Sequence, residues 1–324
     1  MSSSQTDWAL TLPPALPPFT EESLVASARR GYRSLRRRWL CLGPECAERD
    51  GLRAWCKLPA RIQLQEGWCC SPECLQAAVA ALAASELHRI RRAPAPHAHR
   101  VPLGLTLLSQ GIITAPQLRA ALEAQHQAQN QAPNATRGQN EGPRPARLGE
   151  WLVRAHAASE AEVAAAVALQ WARPTFPLDQ SQGWRQCRNW VPLPVLEALR
   201  MLPLHCVHAS AAARRRLYVG FTQSIDFHAL AALAQIFECE TESCIITESA
   251  LTRVFDEIRA LSAQAQVQDI SFDHMDDAAE VASITSQYAH VVQARQIRLA
   301  ALGPFLWVRL RGQRIIHLTF RSAA

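Results

Sequence analysis

The sequence predicts an α+β protein: a helical repeat pair followed by a small α/β subdomain, plus an amino-terminal cysteine-rich module and a carboxy-terminal β-hairpin. Three observations carry that expectation. Six of the ten cysteines fall between Cys41 and Cys74. The segment around Leu103-Gly104 recurs with a 45-residue offset at Leu148-Gly149. Beyond Pro174, short strand-like runs alternate with capped helical stretches.

Residues 1–19 hold two Leu-Pro-Pro units and read as a disordered or polyproline tail. Thr20, with Glu21 and Glu22 in the first turn, opens a helix that runs through Arg29, Arg30, Arg33 and Arg36–Arg38. That helix, the cysteines and an alanine-rich helix over Pro72–Arg92 make up an expected module of residues 20–92. Residues 93–100, beginning Ala93-Pro-Ala-Pro96, read as a linker.

Residues 101–262 are expected to form the next domain, with helical repeats over 101–178 and an α/β half over 179–262. Leu107-Leu108 match Leu152-Val153, and Leu118, Leu122 and Gln125 match Val163, Val167 and Gln170. Thr114-x-x-Gln117 and Ser159-x-x-Glu162 are capping boxes, in which a hydroxyl and a side chain three residues on satisfy helix-start N–H groups. Each copy therefore reads as a short helix, a turn and a capped longer helix. Their apolar stripes have helical spacing, so the copies should bury them against each other. The polar stretch Gln125–Ala146 reads as a loop inserted between them.

In the α/β half, Pro194–Met201 is helical, Leu204–Ala209 and Arg216–Phe221 are strands, and Asp226 caps a helix over Phe227–Phe237. Cys239–Ile246 is a strand, and Thr247 caps a helix reaching Leu261. Residues 263–277 read as a polar linker. Residues 278–324 read as a helix to Ala294 and a hairpin, Phe305–Arg311 and Arg314–Arg321, turned at Gly312-Gln313 by a type II′ turn.

Composition excludes several chemistries. The 324 residues carry a net charge of +6, and of 34 basic residues only Lys57 is a lysine. A phosphate-binding P-loop needs a lysine in a glycine frame, and Lys57 is followed by Leu58 and Pro59. No frame for ATP hydrolysis follows Ala260, and a non-enzymatic protein is expected. No run approaches the ~20 apolar residues that cross a bilayer, and Met1–Leu12 lacks a secretory pattern, so a cytoplasmic location is expected.

Dense cysteines in such a protein suggest a metal before disulfides. Trp68-Cys69-Cys70-Ser-Pro-Glu-Cys74 is similar to half of a zinc knuckle, and four thiolates suit a tetrahedral structural zinc. The expected ligands are Cys41, Cys46, Cys70 and Cys74, with Cys56 and Cys69 spare. The shared Cys-x-x-Pro-Glu-Cys of both halves favours Cys69 over Cys70 if they are true repeats. His205 and His208 have no ligand partners at metal spacing and read as structural. The arginine run at Arg29–Arg38 offers a competing reading, a zinc-dependent nucleic-acid-binding regulator.

The repeat resembles the amino-terminal domain of the type II secretion and type IV pilus assembly ATPases (GspE-like, including the MshE amino-terminal domain). That family's repeat is Arg-Leu-Gly, an aliphatic pair, Gly with a second aliphatic pair, then spaced aliphatics ending in Gln. Leu103-Gly104, Leu107-Leu108, Gly111-Ile112-Ile113, Leu118, Leu122 and Gln125 supply the first copy. Arg147-Leu148-Gly149, Leu152-Val153, Val163, Val167 and Gln170 supply the second. This chain departs in having Pro102 for Arg, His156 for Gly, Ala157-Ala158 for the second aliphatic pair, and the polar stretch His126–Ala146 between copies. The resemblance implies that cyclic di-GMP contacts Leu103, Gly104, Leu107, Leu108, Arg147, Leu148, Gly149, Leu152 and Val153, with Arg147 foremost. It also implies secretion or pilus assembly components as partners, and an adaptor or regulatory role.

Overall fold

The structure is a computed structural model and describes residues 41–46, 62–65, 67–92, 101–131, 146–207, 215–262 and 267–322. The expected tail, the helix opened by Thr20 with its arginine run, Cys56, Lys57, the linker at 93–100 and His208 lie outside the described residues. The α+β class holds: helices pack on two β-sheets.

The larger sheet joins the two ends of the sequence. Strands β1 (Ile62–Leu64) and β2 (Gly67–Cys69) form a hairpin. Strands β6 (Val267–Phe272), β7 (Gln296–Leu302), β8 (Phe305–Arg311) and β9 (Ile315–Arg321) complete the order β2-β1-β7-β8-β9-β6. β1 runs parallel to β7, with Gln63 opposite Gln296 and Leu64 opposite Ile297. The amino-terminal hairpin and the carboxy-terminal strands, read from sequence as separate modules, thus share one sheet.

Strand alternation sends successive side chains to opposite faces. Ile297, Leu299, Leu306, Val308 and Leu310 face helices α1 (Pro72–Arg92) and α10 (Ala278–Val291), burying Leu75, Val79, Leu87 and Val281 between them. Ala300, Leu302, Phe305 and Trp307 point the other way, into the core of the α/β half. β7, β8 and β9 are therefore covered on both faces. On that second face, register sets Arg298, Arg309, His317 and Asp269 side by side across four strands. Arg298 ion-pairs with Glu238, and the Arg309 guanidinium lies 5.2 Å from the centre of the Phe237 ring.

The repeat pair forms α2 (Leu103–Ser109), α3 (Ala115–Gln131), α4 (Leu148–Arg154) and α5 (Glu160–Trp171). Both short helices end alike. The Ile112 N–H donates to Leu107 O at 3.0 Å and Gly111 N–H to Leu108 O at 3.0 Å; Ala157 and His156 do the same to Leu152 and Val153 at 2.9 and 3.0 Å. This is a Schellman ending, which needs a left-handed residue after the helix. Ser159 and Glu162 form the full capping box, and the Ser159 backbone and hydroxyl hold the Glu162 carboxyl below the usual carboxylate range. In the first copy Thr114 N–H donates to Gln117 Oε1 at 2.8 Å.

The α/β half contains α6 (Trp184–Cys187), α7 (Leu193–Leu199), β3 (Met201–Val207), β4 (Arg216–Phe221), α8 (Phe227–Phe237), β5 (Glu240–Ile245) and α9 (Glu248–Ser262). β3 pairs antiparallel with β4, and β4 pairs parallel with β5. Asp226 caps α8 by accepting from His228 and Ala229 N–H at 2.9 and 3.0 Å.

Four expectations need correction. The segment 263–277 is not only linker, since β6 occupies Val267–Phe272; as an edge strand it has one polar row. β7 was not expected, and it makes the carboxy-terminal hairpin part of a larger sheet. The inserted polar loop starts later than Gln125, because α3 continues to Gln131. The β8–β9 turn is not type II′: Arg311 pairs with Ile315, leaving three residues in the loop, and Gly312 does not take a positive φ. Glycine is required there by space, since a Cβ would stand 2.1 Å from the Val292 carbonyl oxygen.

Candidate functional site

The repeat pair is held by reciprocal contacts. The Gln170 side chain donates to the Val101 carbonyl, and the Gln125 Nε2 donates to the Ala146 carbonyl at 3.5 Å. Each copy's terminal glutamine thus ties down the backbone before the other copy's Leu-Gly. The glycines are crossed in the same way. A Cβ on Gly104 would stand 2.6 Å from Leu118 Cδ1 and 3.3 Å from Leu148 Cδ2; one on Gly149 would stand 2.9 Å from Val163 Cγ1 and 3.6 Å from Leu103 Cδ2. Both glycines therefore serve close helix approach.

In front of the second copy lies a pocket of about 460 Å³. Its floor is Leu103, Arg147, Leu148, Gly149, Val153 and Val163. Its roof comes from segments that follow the parallel strands: Thr222 and Gln223 after β4, and Thr247 and Glu248 after β5. Ligands in α/β sheets commonly sit beyond such carboxyl strand ends. Glu248 ion-pairs with Arg200, and Glu160 accepts from Ser249 N–H at 3.3 Å, fixing α5 against α9. Among the described residues, Thr222 Oγ1, Gln223 Oε1 and Glu248 Oε2 are buried oxygens without a hydrogen-bond partner. All three residues line the pocket.

The structure gathers Leu103, Arg147, Leu148, Gly149 and Val153 at this pocket. It places the other residues expected on the ligand elsewhere. Leu107 and Leu152 are fully buried between the repeat helices, with Leu108 packed against the same cluster, and Gly104 faces Leu118. A helix pair this short must spend those side chains on its own core. The roof residues were not foreseen; the signal available was their place directly after two strands.

The cysteine site is built by a turn, a hairpin and a helix start. Cys41 bridges to Trp68, and Leu42 N–H donates to Trp68 O at 2.9 Å, laying the Cys41–Cys46 turn over β2. Gly43 lets that turn approach α1, since a Cβ would stand 2.8 Å from Cys74 Sγ. The Sγ atoms of Cys41, Cys46, Cys70 and Cys74 lie within 4.8 Å of one another, with Cys46–Cys70 at 3.5 Å and Cys70–Cys74 at 3.6 Å. Tetrahedral zinc–sulfur bonds of about 2.3 Å imply sulfur separations of about 3.8 Å, so these four could hold a metal ion. Gly43 N–H also donates to Cys41 Sγ at 3.4 Å, the kind of bond that supports a thiolate.

Cys69 points away. It closes β2, so its side chain leaves the face opposite that of Cys70 and enters the core against α1. Burial, followed by the Cys41, Cys74 and Cys46 sulfurs, pushes its thiol up to about 12. In the structure Cys70, and not Cys69, lies with the other three sulfurs. His205 is exposed on β3.

No protein-family model matches the chain, and no curated protein matches it. Among solved structures, the chain is similar to that of MshE with cdg, at 24% identity, covering 49% of this chain and 99% of that one, with a TM-score of 0.36. It is also similar to the N-terminal domain of XpsE, at 16% identity, covering 48% of this chain and 91% of that one, with a TM-score of 0.30. Among the described residues, no helix is long and apolar enough to cross a membrane.

Proposed function

We propose that this chain is a non-enzymatic adaptor or regulatory protein, related to the amino-terminal domains of secretion and pilus assembly ATPases, that binds cyclic di-GMP at the repeat pair and carries a structural zinc. The pocket before Arg147-Leu148-Gly149 carries the reading. Arg147 and Arg154 offer guanidinium forks to phosphate or to the guanine O6/N7 edge. Glu150, Glu160 and Glu248 offer acceptors to the guanine N–H groups. A dianionic ligand is balanced poorly by two arginines among three carboxylates, so guanine recognition has to supply much of the affinity. MshE, to which the chain is similar, was solved with cdg; the reading here rests on the pocket.

The zinc reading rests on the donor set, four thiolates at tetrahedral spacing with no carboxylate or imidazole among them. Such a site is closed and supplies folding energy in place of catalysis. Docking on a secretion or pilus apparatus is the role this arrangement suits: a regulated domain held in a metal-braced frame.

Calorimetry of the full chain with cyclic di-GMP tests the ligand. Binding at micromolar concentration that Arg147→Ala abolishes and Pro102→Arg tightens is expected. Absence of ligand heat at high micromolar concentration for both the native chain and Pro102→Arg would leave the repeat a purely structural pair.

A further inference from the structure

A larger cleft, of about 1010 Å³, lies on another side of the α/β half, between the segment joining α6 to α7, the α9 helix, β6 and the β8–β9 turn. Arg188, Arg311 and Arg314 line it with one carboxylate, Asp269. Among the described residues, none of these three guanidinium groups makes an ion pair or a side-chain hydrogen bond. Arginines nearby behave differently: Arg185, Arg253 and Arg259 each reach a carboxylate. Among the described residues Arg119, Arg173 and Arg295 also lack such a partner, but in the cleft three unmatched arginines line one cavity.

Asp269 is one carboxylate against three guanidinium groups. Its Oδ2 accepts from Leu193 N–H at 3.4 Å, and its Oδ1 stands 3.9 Å from His317 Nδ1. Burial raises its pKa, which weakens its hold on negative charge. Behind it, Arg309 lies opposite His317 and carries a buried Nε without a partner. Burial first, and then Arg311, Arg215 and Arg298, lower the Arg309 pKa to about 10. Of the cleft's arginines only Arg311 contributes to that lowering, and an anion in the cleft would offset its share.

Part of the lining is an aliphatic wall, from Val191, Leu193, Ile258 and Ile315. A bare inorganic anion would leave that wall unused, whereas a cleft of this size takes a whole small molecule. We propose that the cleft binds a phosphate ester of the nucleotide class, with its phosphates on Arg188, Arg311 and Arg314 and its base and sugar against the aliphatic wall. Planar guanidinium groups fork to phosphate oxygens in pairs, and three of them match a diphosphate.

The test uses the full chain, titrated by calorimetry with ADP and with inorganic pyrophosphate at low ionic strength. Saturable one-to-one binding of both is expected, with ADP the tighter. Arg311→Gln combined with Arg314→Gln should weaken both at least tenfold, and Arg188→Gln, on a different element, should weaken both in the same direction. Arg147→Ala, in the repeat-pair pocket, should leave both unchanged. The proposal is overturned if neither probe saturates at millimolar concentration, if the arginine variants bind as the native chain does, or if Arg147→Ala abolishes the binding. Pyrophosphate binding as tightly as ADP would overturn the assignment to nucleotides.

Discussion

His156 adopts, at φ 52°, the left-handed backbone that Gly111 adopts at φ 71° at the matching position of the first repeat. The two residues end their short helices with the same pair of hydrogen bonds. Glycine enters that region freely, whereas a Cβ costs about 1 kcal/mol there. His156→Gly is therefore expected to raise stability by about 1 kcal/mol, and Gly111→Ala to lower it by a similar amount. Urea denaturation of the two variants checks this; a destabilised His156→Gly would mean that the imidazole contributes contacts worth more than the strain.

The crossed glycines give a second expectation. Gly149→Ala drives a methyl to 2.9 Å from Val163 Cγ1 and must push α4 away from α5. Overpacking of this kind costs about 1–3 kcal/mol. A melting temperature unchanged in Gly149→Ala would show that the helix pair is looser than this spacing implies.

Loss of the metal should reach beyond the cysteines. Cys70→Ser or Cys74→Ser removes a ligand, and β2 and the start of α1 lose their anchor. Because β1 pairs with β7 and α1 covers β7 and β8, the effect should appear as faster amide hydrogen exchange in Gln296–Leu302. About one zinc per native chain, and none in either variant, is the companion measurement. Cys69→Ser should keep the metal and lose stability through a buried hydroxyl. Metal lost from Cys69→Ser while Cys70→Ser retains it would reverse the ligand assignment.

His317 sets a pH dependence. Both ring nitrogens are buried without a hydrogen-bond partner among the described residues, and burial, then Arg309, holds the pKa down to about 3 from 6.5. The unfolded chain therefore takes up this proton first. Stability is full above pH 6.5 and falls as the pH drops toward 3, by at most about 1.4 kcal/mol per pH unit. Asp269 acts in the opposite sense: its raised pKa contributes stability at low pH that is lost as the pH rises through the folded value. His317→Gln isolates the histidine. Between pH 7 and pH 5 the variant should lose about 2 kcal/mol less than the native chain, measured by denaturant unfolding at each pH. An equal loss would show that His317 is already protonated in the fold.

Helix starts and periodic helices were legible because their signals are local. Asp226, Ser159 and the alanine-rich Pro72–Arg92 each carry the determinants within one or two turns. β6 and β7 were not legible, for a different reason in each. β6 mixes Asp269, Ser271 and Gln268 with Val267 and Ile270 because one of its edges faces solvent-side residues and the other pairs with β9. β7 places Arg298 in the middle of an apolar run, and only Glu238 from another element makes that tolerable. At the sites, the cysteine spacing identified a cluster, but not which of Cys69 and Cys70 faced it. A strand of three residues leaves no periodicity to read. Pocket residues from the second repeat were readable, whereas Thr222, Gln223 and Glu248 became neighbours of Arg147 only through folding.

The pairing of β1 with β7 also imposes an order on synthesis. Gln63 and Gln296, whose side chains bond across that seam at 3.3 Å, are separated by 233 positions. The repeat pair and the α/β half lie wholly between them, and the core of the α/β half is itself completed by Ala300, Leu302, Phe305 and Trp307 from β7 and β8. The β1–β2 hairpin has nowhere to dock until β7 leaves the ribosome. Contacts this distant in sequence slow folding, and an unpaired strand edge that waits invites association with other chains. Metal binding at the four cysteines, which would keep that hairpin shaped, would matter most while it waits.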